Sequence, residues 1–439
     1  MKKVHLPQSC TDPGPDQELF FHGWRWLILL IAACLMTILM GVSASADTKL
    51  MVVSDLHYLA PKLYQNSDLF LRVLQNADGK ITQYGDILLS ALSRQIQFEQ
   101  PDALIVTGDL TFNGEKESHL VLADWFRGIE KKGIPVWVIP GNHDIHAVNP
   151  LGFGDGTWYR VDPVSPEEFA EIYSDFMNPD GSGFTKSNDR GFTKSNNSGF
   201  SYSVQVSDTL WVAMTDVALY QDQAETFGVF TAHHADWLEK TLLSAGDAGA
   251  RVITATHHSL LPHTEFAKES YLMFGNEQME GLAREYGVPL HLSGHLHIQH
   301  ITRSHHLADA ALGAFCIWPH RYALVTCSDG GKLQYEAKAL KDTFLPEGFL
   351  PLSREWFFTI ARNKALSSLT GSDDDISRMA DYVARFNLSY FSGTYQQEDP
   401  SWTEDPAYSL WQKQSNSALW ATLRLLMNEP AGDNLHWEE

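Results

Sequence analysis

Short apolar runs alternate with amphipathic stretches between about residues 50 and 340 of the chain. Six runs have the length and composition of strands buried on both faces: residues 50–54, 103–107, 136–140, 210–215, 251–256 and 288–293. Between them, apolar residues recur at helical spacing, for example at Ile87, Leu88, Ala91, Leu92 and Ile96. This alternation predicts an α/β domain with a layered sheet over residues 47–343.

The composition changes after residue 340. Residues 344–351 contain Pro and Gly, which is typical of a linker, and helical patterns follow at about 353–368, 373–387 and 406–427. We therefore expect a small C-terminal helical domain over residues 344–439.

The first 46 residues have the pattern of a targeting segment. Lys2, Lys3 and Arg25 precede an apolar run at residues 26–42, and Ala44-Ser45-Ala46 follows it. This pattern predicts a signal peptide cleaved after Ala46, with an uncleaved membrane anchor as the alternative. Either reading predicts an exported protein that is periplasmic, extracellular or anchored on the outer face of the inner membrane.

The charge of the chain limits the partners that it can have. Its 439 residues include 54 acidic and 32 basic side chains, for a formal net charge of −22. Nucleic-acid polymers and anionic membrane surfaces would repel such a chain at long range, so we expect neither as a general partner. Cys316 and Cys327 lie in two short predicted strands around residues 319–322, and they are either a disulfide or two buried free thiols.

Polar side chains stand directly after five of the six apolar runs. In chain order these are Asp55 and His57, then Asp109, then Asn142, His143 and Asp144, then His257, and finally His295 and His297. Ligand sites in α/β sheets collect outside the carboxyl ends of the strands, so these side chains should meet at one edge.

The donors in this set are carboxylate and amide oxygens together with imidazole nitrogens. Such a mixture suits Mn²⁺, Fe²⁺, Zn²⁺ or Ni²⁺ and suits Ca²⁺ poorly. The donors are too many for one tetrahedral ion and suit two ions roughly 3.5–4 Å apart that share a carboxylate. A metal pair of this kind lowers the pKa of a bound water, which provides a hydroxide nucleophile near neutral pH, and its positive charge attracts an anion.

The order Asp-x-His, Gly-Asp, Gly-Asn-His-Asp, His-His and Gly-His-x-His resembles that of the calcineurin-like metallophosphoesterases. Residues 109–119 are similar to a bacterial exported subgroup that resembles cyclic-nucleotide phosphodiesterases and has an added C-terminal helical domain. The resemblance implies a layered αββα sandwich. It also implies one metal held by Asp55, His57, Asp109 and His297, and a second held by Asp109, Asn142, His257 and His295, with Asp109 bridging.

The same resemblance implies roles for the remaining residues. His143 would face the substrate and stabilise or protonate the leaving oxygen, and Asp144 would orient His143. As further substrate contacts we consider Asn113, His263, His320 and Arg321.

The expected activity is hydrolysis of a small phosphodiester, such as a cyclic nucleotide, by a metal-bridging hydroxide. The alternatives are a phosphomonoesterase, a glycerophosphodiester or nucleotide-sugar hydrolase on the same centre, and a non-catalytic protein that binds a phosphorylated ligand through metals.

Overall fold

The computed structural model describes residues 47–177, 199–264, 271–397, 401–414, 417–430 and 432–439. The predicted signal peptide or anchor at residues 1–46 lies outside the described residues, as does the repeated GFTKSN segment between residues 183 and 196. Among the described residues, no helix is both long enough and apolar enough to span a membrane.

The described strands, in chain order, are β1 (Thr48–Val53), β2 (Ala103–Val106), β3 (Val136–Val138), β4 (Leu151–Phe153), β5 (Trp158–Arg160), β6 (Tyr202–Gln205), β7 (Leu210–Met214), β8 (Arg251–Ala255), β9 (Leu290–Ser293), β10 (His300–Ser304), β11 (Leu307–Ala311), β12 (Arg321–Cys327), β13 (Leu333–Ala339) and β14 (His436–Glu438). The α-helices are α1 (Asp68–Gln75), α2 (Gly85–Glu99), α3 (Lys116–Glu130), α4 (Pro166–Met177), α5 (Ala232–Asp247), α6 (Asn276–Glu285), α7 (Phe349–Leu366), α8 (Asp373–Phe391), α9 (Pro406–Gln412) and α10 (Ala418–Met427).

The strands form two six-stranded sheets and a separate β4–β5 hairpin. The first sheet has the order β14-β13-β12-β1-β2-β3, and β1, β2 and β3 run parallel. The second sheet has the order β10-β11-β9-β8-β7-β6, in which β7, β8 and β9 run parallel. In the first sheet Val53 is in register with Val106, and Val106 with Val138, so the carboxyl ends of three strands lie side by side.

The two sheets pack face to face over a shared apolar core with helices outside. Met51 of the first sheet and Ile253 of the second belong to this core, as do residues of α2 and α3. The neighbour Val252 belongs instead to a second cluster with Trp237 of α5 and Met279 of α6, because successive side chains of a strand point to opposite faces. The predicted α/β fold with layers αββα is therefore confirmed.

The C-terminal helices also match the prediction in part. Helices α7 and α8 correspond to the first two helical patterns. The third pattern, predicted as one helix over residues 406–427, forms two separate helices in the structure. Helix α9 ends at Gln412, and Ser417 begins α10 by accepting a hydrogen bond from the Trp420 amide at 3.3 Å. Strand β14 follows these helices and pairs with β13 at the edge of the first sheet.

The prediction of two strands around residues 319–322 is wrong for the first of them. The Phe315 and Cys316 amides donate to the carbonyls of Ser54 and Asp55, at 2.9 and 3.3 Å, so this segment follows the end of β1. Only Arg321–Cys327 forms a strand. Cys316 and Cys327 are both buried free thiols.

Candidate metal centre

The loops after β1, β2 and β9 carry ligand candidates in an unusual backbone conformation. Asp55, His57, Asp109, His295 and His297 all have positive φ angles, between 41° and 65°. Non-glycine residues rarely adopt this left-handed region, and such conformations persist where the surrounding structure imposes them, often at functional sites. The carboxyl edge of the two sheets is thus built around these five side chains.

The first donor cluster contains Asp55, His57, Asp109 and His297, with one ligand atom of each within 4.8 Å of all the others. His57 Nε2 lies 3.4 Å from Asp109 Oδ2, and His297 Nε2 lies 3.3 Å from Asp55 Oδ1. Asp55 Oδ1 is buried and accepts no hydrogen bond from the described residues. A buried carboxylate oxygen without a donor is costly, and a cation among these four groups would satisfy it.

The second donor cluster shares Asp109 with the first and adds His257 and His295. His257 Nε2 lies 3.4 Å from Asp109 Oδ1 and 3.1 Å from the Asn142 side-chain oxygen. The two oxygens of Asp109 therefore face different clusters. All seven side chains that the sequence suggested as ligands converge here, and the donor set fits two divalent ions.

Hydrogen bonds outside the clusters fix the orientation of the ligands. The Thr107 carbonyl lies 2.8 Å from His257 Nδ1, so this nitrogen donates and Nε2 is directed at Asp109. The His295 amide donates to Asp55 Oδ2 at 3.2 Å, which joins the loop after β9 to the loop after β1.

Two glycines allow the loops to approach each other. A Cβ on Gly141 would overlap Asp109 Oδ1, and a Cβ on Gly294 would overlap the Ser54 hydroxyl. Any larger residue at either position would displace a carboxylate of the site.

Burial and ion pairing oppose each other in the electrostatics of the second cluster. Burial alone would raise the pKa of Asp109, but His257 and His143 outweigh it and hold this pKa well below its ordinary value. Burial alone would lower the pKa of His257, but Asp109 outweighs it and raises the pKa to about 9. The site is thus organised to place positive charge beside Asp109.

His143 lies beside the first cluster, with its ring edge-to-face with His57 at a centroid separation of 4.9 Å. Its backbone amide donates to Asp109 Oδ1 at 2.9 Å. Its Nδ1 lies 2.9 Å from both the Phe112 carbonyl and Asn113 Oδ1. Both are acceptors, so Nδ1 carries a proton and Nε2 is the nitrogen available to a substrate.

Two expected roles next to His143 need correction. Asp144 does not contact the His143 ring; its carboxylate accepts hydrogen bonds from the amides of Leu110, Thr111 and Gly141, so it holds together the loops that carry Asp109 and Asn142. Asn113, suggested as a substrate contact, directs its side-chain oxygen at His143. The groups that orient His143 are therefore the Phe112 carbonyl and the side chain of Asn113.

Three other suggested substrate contacts are engaged within the protein. His320 is fully buried, with its ring nitrogens 2.9 Å from the Phe315 carbonyl and from Ser353 Oγ. Arg321 is 8% exposed and donates to the Ser392 carbonyl at 2.8 Å. Both residues pack where the C-terminal helices cover the first sheet, so the structure does not present them to a ligand.

His263 is also buried and lies in a separate polar cluster. Its Nδ1 is 3.0 Å from His300 Nδ1, and its Nε2 is 3.3 Å from Asp309 Oδ2. Asp309 in turn accepts hydrogen bonds from the Leu260 and Leu261 amides, both at 2.8 Å. These contacts correct the expectation that His263 borders the substrate.

Comparison with known proteins agrees with this geometry. Residues 48–299 match the calcineurin-like phosphoesterase family. The chain belongs to this family, as its motifs suggested. Residues 347–433 of this calcineurin-like phosphoesterase match the C-terminal domain of cyclic nucleotide phosphodiesterase.

The solved structures that match this chain share little sequence identity with it. A dimetal phosphatase from Danio rerio is 12% identical with a TM-score of 0.48, over 68% of this chain and 98% of that one. The anchor GAP50 of the inner membrane complex of Plasmodium is 13% identical with a TM-score of 0.39, over 68% and 86%. A phosphopantetheinyl hydrolase from Mycobacterium tuberculosis is 12% identical with a TM-score of 0.31, over 62% and 91%. A search of curated proteins gave no significant match.

Two features of the site were not predicted from the sequence. Lys80 is nearly buried although it stands in no recognisable motif, and the amide of its neighbour Ile81 donates to the Cys316 carbonyl. Leu296 and Ile298, which flank His297, pack in the apolar core of α8, α9 and α10. The alternation of apolar and ligand residues in Leu296-His297-Ile298 was the available signal for the second feature.

Proposed function

We propose that the chain is a metal-dependent phosphodiesterase that hydrolyses a small phosphodiester, with a cyclic nucleotide as the leading candidate. The observation that carries this proposal is the pair of donor clusters that share Asp109, with His143 beside them. The match of residues 347–433 to the C-terminal domain of cyclic nucleotide phosphodiesterase supports a diester substrate.

Each residue of the site would have a distinct task. Two divalent ions held by the clusters would neutralise phosphate charge and lower the pKa of a water molecule. Asp109 would fix the distance between the two sites through its two oxygens. His143 in its protonated form would donate the Nε2 proton to the leaving oxygen, while Phe112 and Asn113 hold the Nδ1 proton.

The experiment compares two chromogenic esters with Mn²⁺-loaded protein. We expect faster hydrolysis of bis(p-nitrophenyl) phosphate than of p-nitrophenyl phosphate. A screen of cyclic nucleotides would follow. The His143→Ala variant should retain its metal content and lose about 10²- to 10⁴-fold in kcat, the usual contribution of a positioned acid.

The same assay separates the alternatives. Preference for p-nitrophenyl phosphate would replace the diesterase proposal with a phosphomonoesterase. Absence of turnover on every ester, with full metal content, would favour a protein that binds a phosphorylated ligand. Equal turnover by the wild type and His143→Ala would remove the proposed role of His143.

We also propose that the protein acts outside the cytoplasm, on the basis of the sequence pattern of residues 1–46. Sequencing the N-terminus of protein recovered from the cell envelope should give Asp47 as the first residue. An intact N-terminus in the membrane fraction would indicate the anchor instead, and soluble intact protein in the cytoplasm would contradict export.

A further inference from the structure

The peptide group between Phe112 and Asn113 joins His143 to a buried carboxyl group. Its carbonyl, on Phe112, lies 2.9 Å from His143 Nδ1. Its amide, on Asn113, donates to Glu115 Oε2 at 3.1 Å. The carbonyl and the amide of a trans peptide group point in opposite directions, so the two hydrogen bonds lie on opposite sides of one planar unit. A continuous chain of hydrogen bonds therefore leads from the Glu115 carboxyl group to the His143 ring.

Glu115 does not cap the helix that follows it. It is the residue before α3, but its side chain accepts no hydrogen bond from the described amides of that helix. The Lys116 amide donates to the Asp162 carbonyl at 3.1 Å, which holds the backbone next to Glu115 against the segment before α4. From this fixed position the side chain of Glu115 is directed back to Asn113.

The surroundings of Glu115 favour an uncharged carboxyl group. Glu115 is fully buried and forms no ion pair with the residues that the structure describes. The adjacent Lys116 pairs with Glu168 at 2.7 Å instead. Burial raises the pKa of Glu115 to about 8. A neutral carboxyl group still presents an acceptor oxygen to the Asn113 amide, so a hydrogen bond is what this side chain supplies to the loop.

We propose that Glu115 is a positioning residue for His143 and acts through the Phe112–Asn113 peptide group. This inference rests on the proposed function, in which His143 donates a proton from Nε2 to the leaving oxygen. An acceptor on the amide side fixes the plane of the peptide group and polarises it, so the Phe112 carbonyl holds the Nδ1 proton more strongly. The ring then keeps Nε2 directed at the substrate, which is the task that the sequence had suggested for Asp144.

The first test compares two diesters whose leaving groups differ in their need for an acid. The phenolate of diphenyl phosphate is more basic than p-nitrophenolate, so its departure depends more on a proton from His143. Glu115→Ala in the Mn²⁺-loaded chain should lose about tenfold in kcat on diphenyl phosphate and less on bis(p-nitrophenyl) phosphate, with KM unchanged on both. Glu115→Met keeps the buried volume and should behave like Glu115→Ala, whereas Glu115→Gln keeps an acceptor oxygen and should recover most of kcat.

Glu168→Ala is the matched control. It also removes a carboxyl group beside α3, one that pairs with Lys116 and accepts the Ser165 amide at 3.0 Å. It does not touch the Phe112–Asn113 peptide group, so the ratio of the two rates should stay at the wild-type value.

The second test observes the ring directly and needs no turnover. In the Zn²⁺-loaded chain, the ring nitrogen chemical shifts of His143 in an NMR spectrum distinguish a proton on Nδ1 from a proton on Nε2. The wild type and Glu115→Gln should show the Nδ1 proton. Glu115→Ala and Glu115→Met should show a mixture of the two tautomers.

The outcomes distinguish this inference from the proposed function. Equal losses on the two diesters in Glu115→Met, or a His143 tautomer unchanged from the wild type, would overturn the role of Glu115. Absence of turnover by the wild type would contradict the phosphoesterase proposal, and the tautomer in Glu115→Met would still decide whether Glu115 positions the ring.

Discussion

His57 Nε2 lies 3.1 Å from His297 Nε2, and the two rings are edge-to-face at a centroid separation of 5.1 Å. At this distance one nitrogen must donate a proton to the other, or both must share a cation. The carboxylate oxygens of Asp55 and Asp109 approach the same two nitrogens, at 3.3 and 3.4 Å. Two imidazole nitrogens and two carboxylate oxygens around one point favour a shared divalent ion.

Asn113 should influence catalysis through His143. Asn113→Ala removes one of the two acceptors of the Nδ1 proton, and we expect kcat to fall about tenfold, as for other outer hydrogen-bond partners. KM and metal content should not change. Asn113→Asp keeps an acceptor oxygen and should recover most of the activity, which would separate orientation of the ring from a general loss of folding. An unchanged kcat in Asn113→Ala would show that the Phe112 carbonyl is sufficient.

Asp144 should be needed for the metals and for folding. Asp144→Asn replaces one acceptor oxygen with an N–H₂ group that faces backbone N–H donors. Buried donors left without an acceptor should lower the free energy of unfolding by about 1–3 kcal/mol. Urea unfolding should report this loss, and metal analysis should show weaker binding. If Asp144 instead oriented His143, the substitution would lower kcat with stability and metal content intact.

Ile298 should connect the C-terminal helices to the site. Ile298→Ala opens a cavity in the core shared with α8, and the free energy of unfolding should fall by about 2–5 kcal/mol. The neighbouring ligand His297 should lose its fixed position, so the Mn²⁺ affinity should decrease in an equilibrium dialysis experiment. A destabilised variant with wild-type metal affinity would mean that the helices support the fold alone.

His320 should make the protein less stable in acid. Burial lowers its pKa from 6.5 to about 4. Above pH 6.5 the ring is neutral in the folded and unfolded chain. Between pH 6.5 and about 4 only the unfolded chain binds the proton, so the free energy of unfolding falls by up to about 1.4 kcal/mol per pH unit as the pH decreases.

Urea titrations between pH 7.5 and 5 can isolate this contribution. His320→Gln removes the titrating ring, so its unfolding free energy should depend less steeply on pH than that of the wild type. Both proteins are compared at the same Mn²⁺ concentration, and only the slopes are used. Equal slopes would indicate that His320 takes up a proton in the folded state.

The sequence predicted the ligand set because its signal is local. Each ligand follows an apolar strand run, and parallel pairing aligns the ends of β1, β2 and β3. The layered fold follows from the same alternation. The remaining details depend on contacts between distant segments. The sequence around His320 and Arg321 is typical of an exposed loop, but α7 and the end of α8 cover both residues. The Lys80 carbonyl likewise accepts a hydrogen bond from Trp356, 276 positions away.

Anomalous diffraction from crystals soaked in Mn²⁺ would locate the metals directly. We expect two ions roughly 3.5–4 Å apart, with Asp109 coordinating both. Asp55, His57 and His297 should complete one site, and Asn142, His257 and His295 the other. A single ion, or two ions without Asp109 between them, would rule out a metal pair bridged by Asp109.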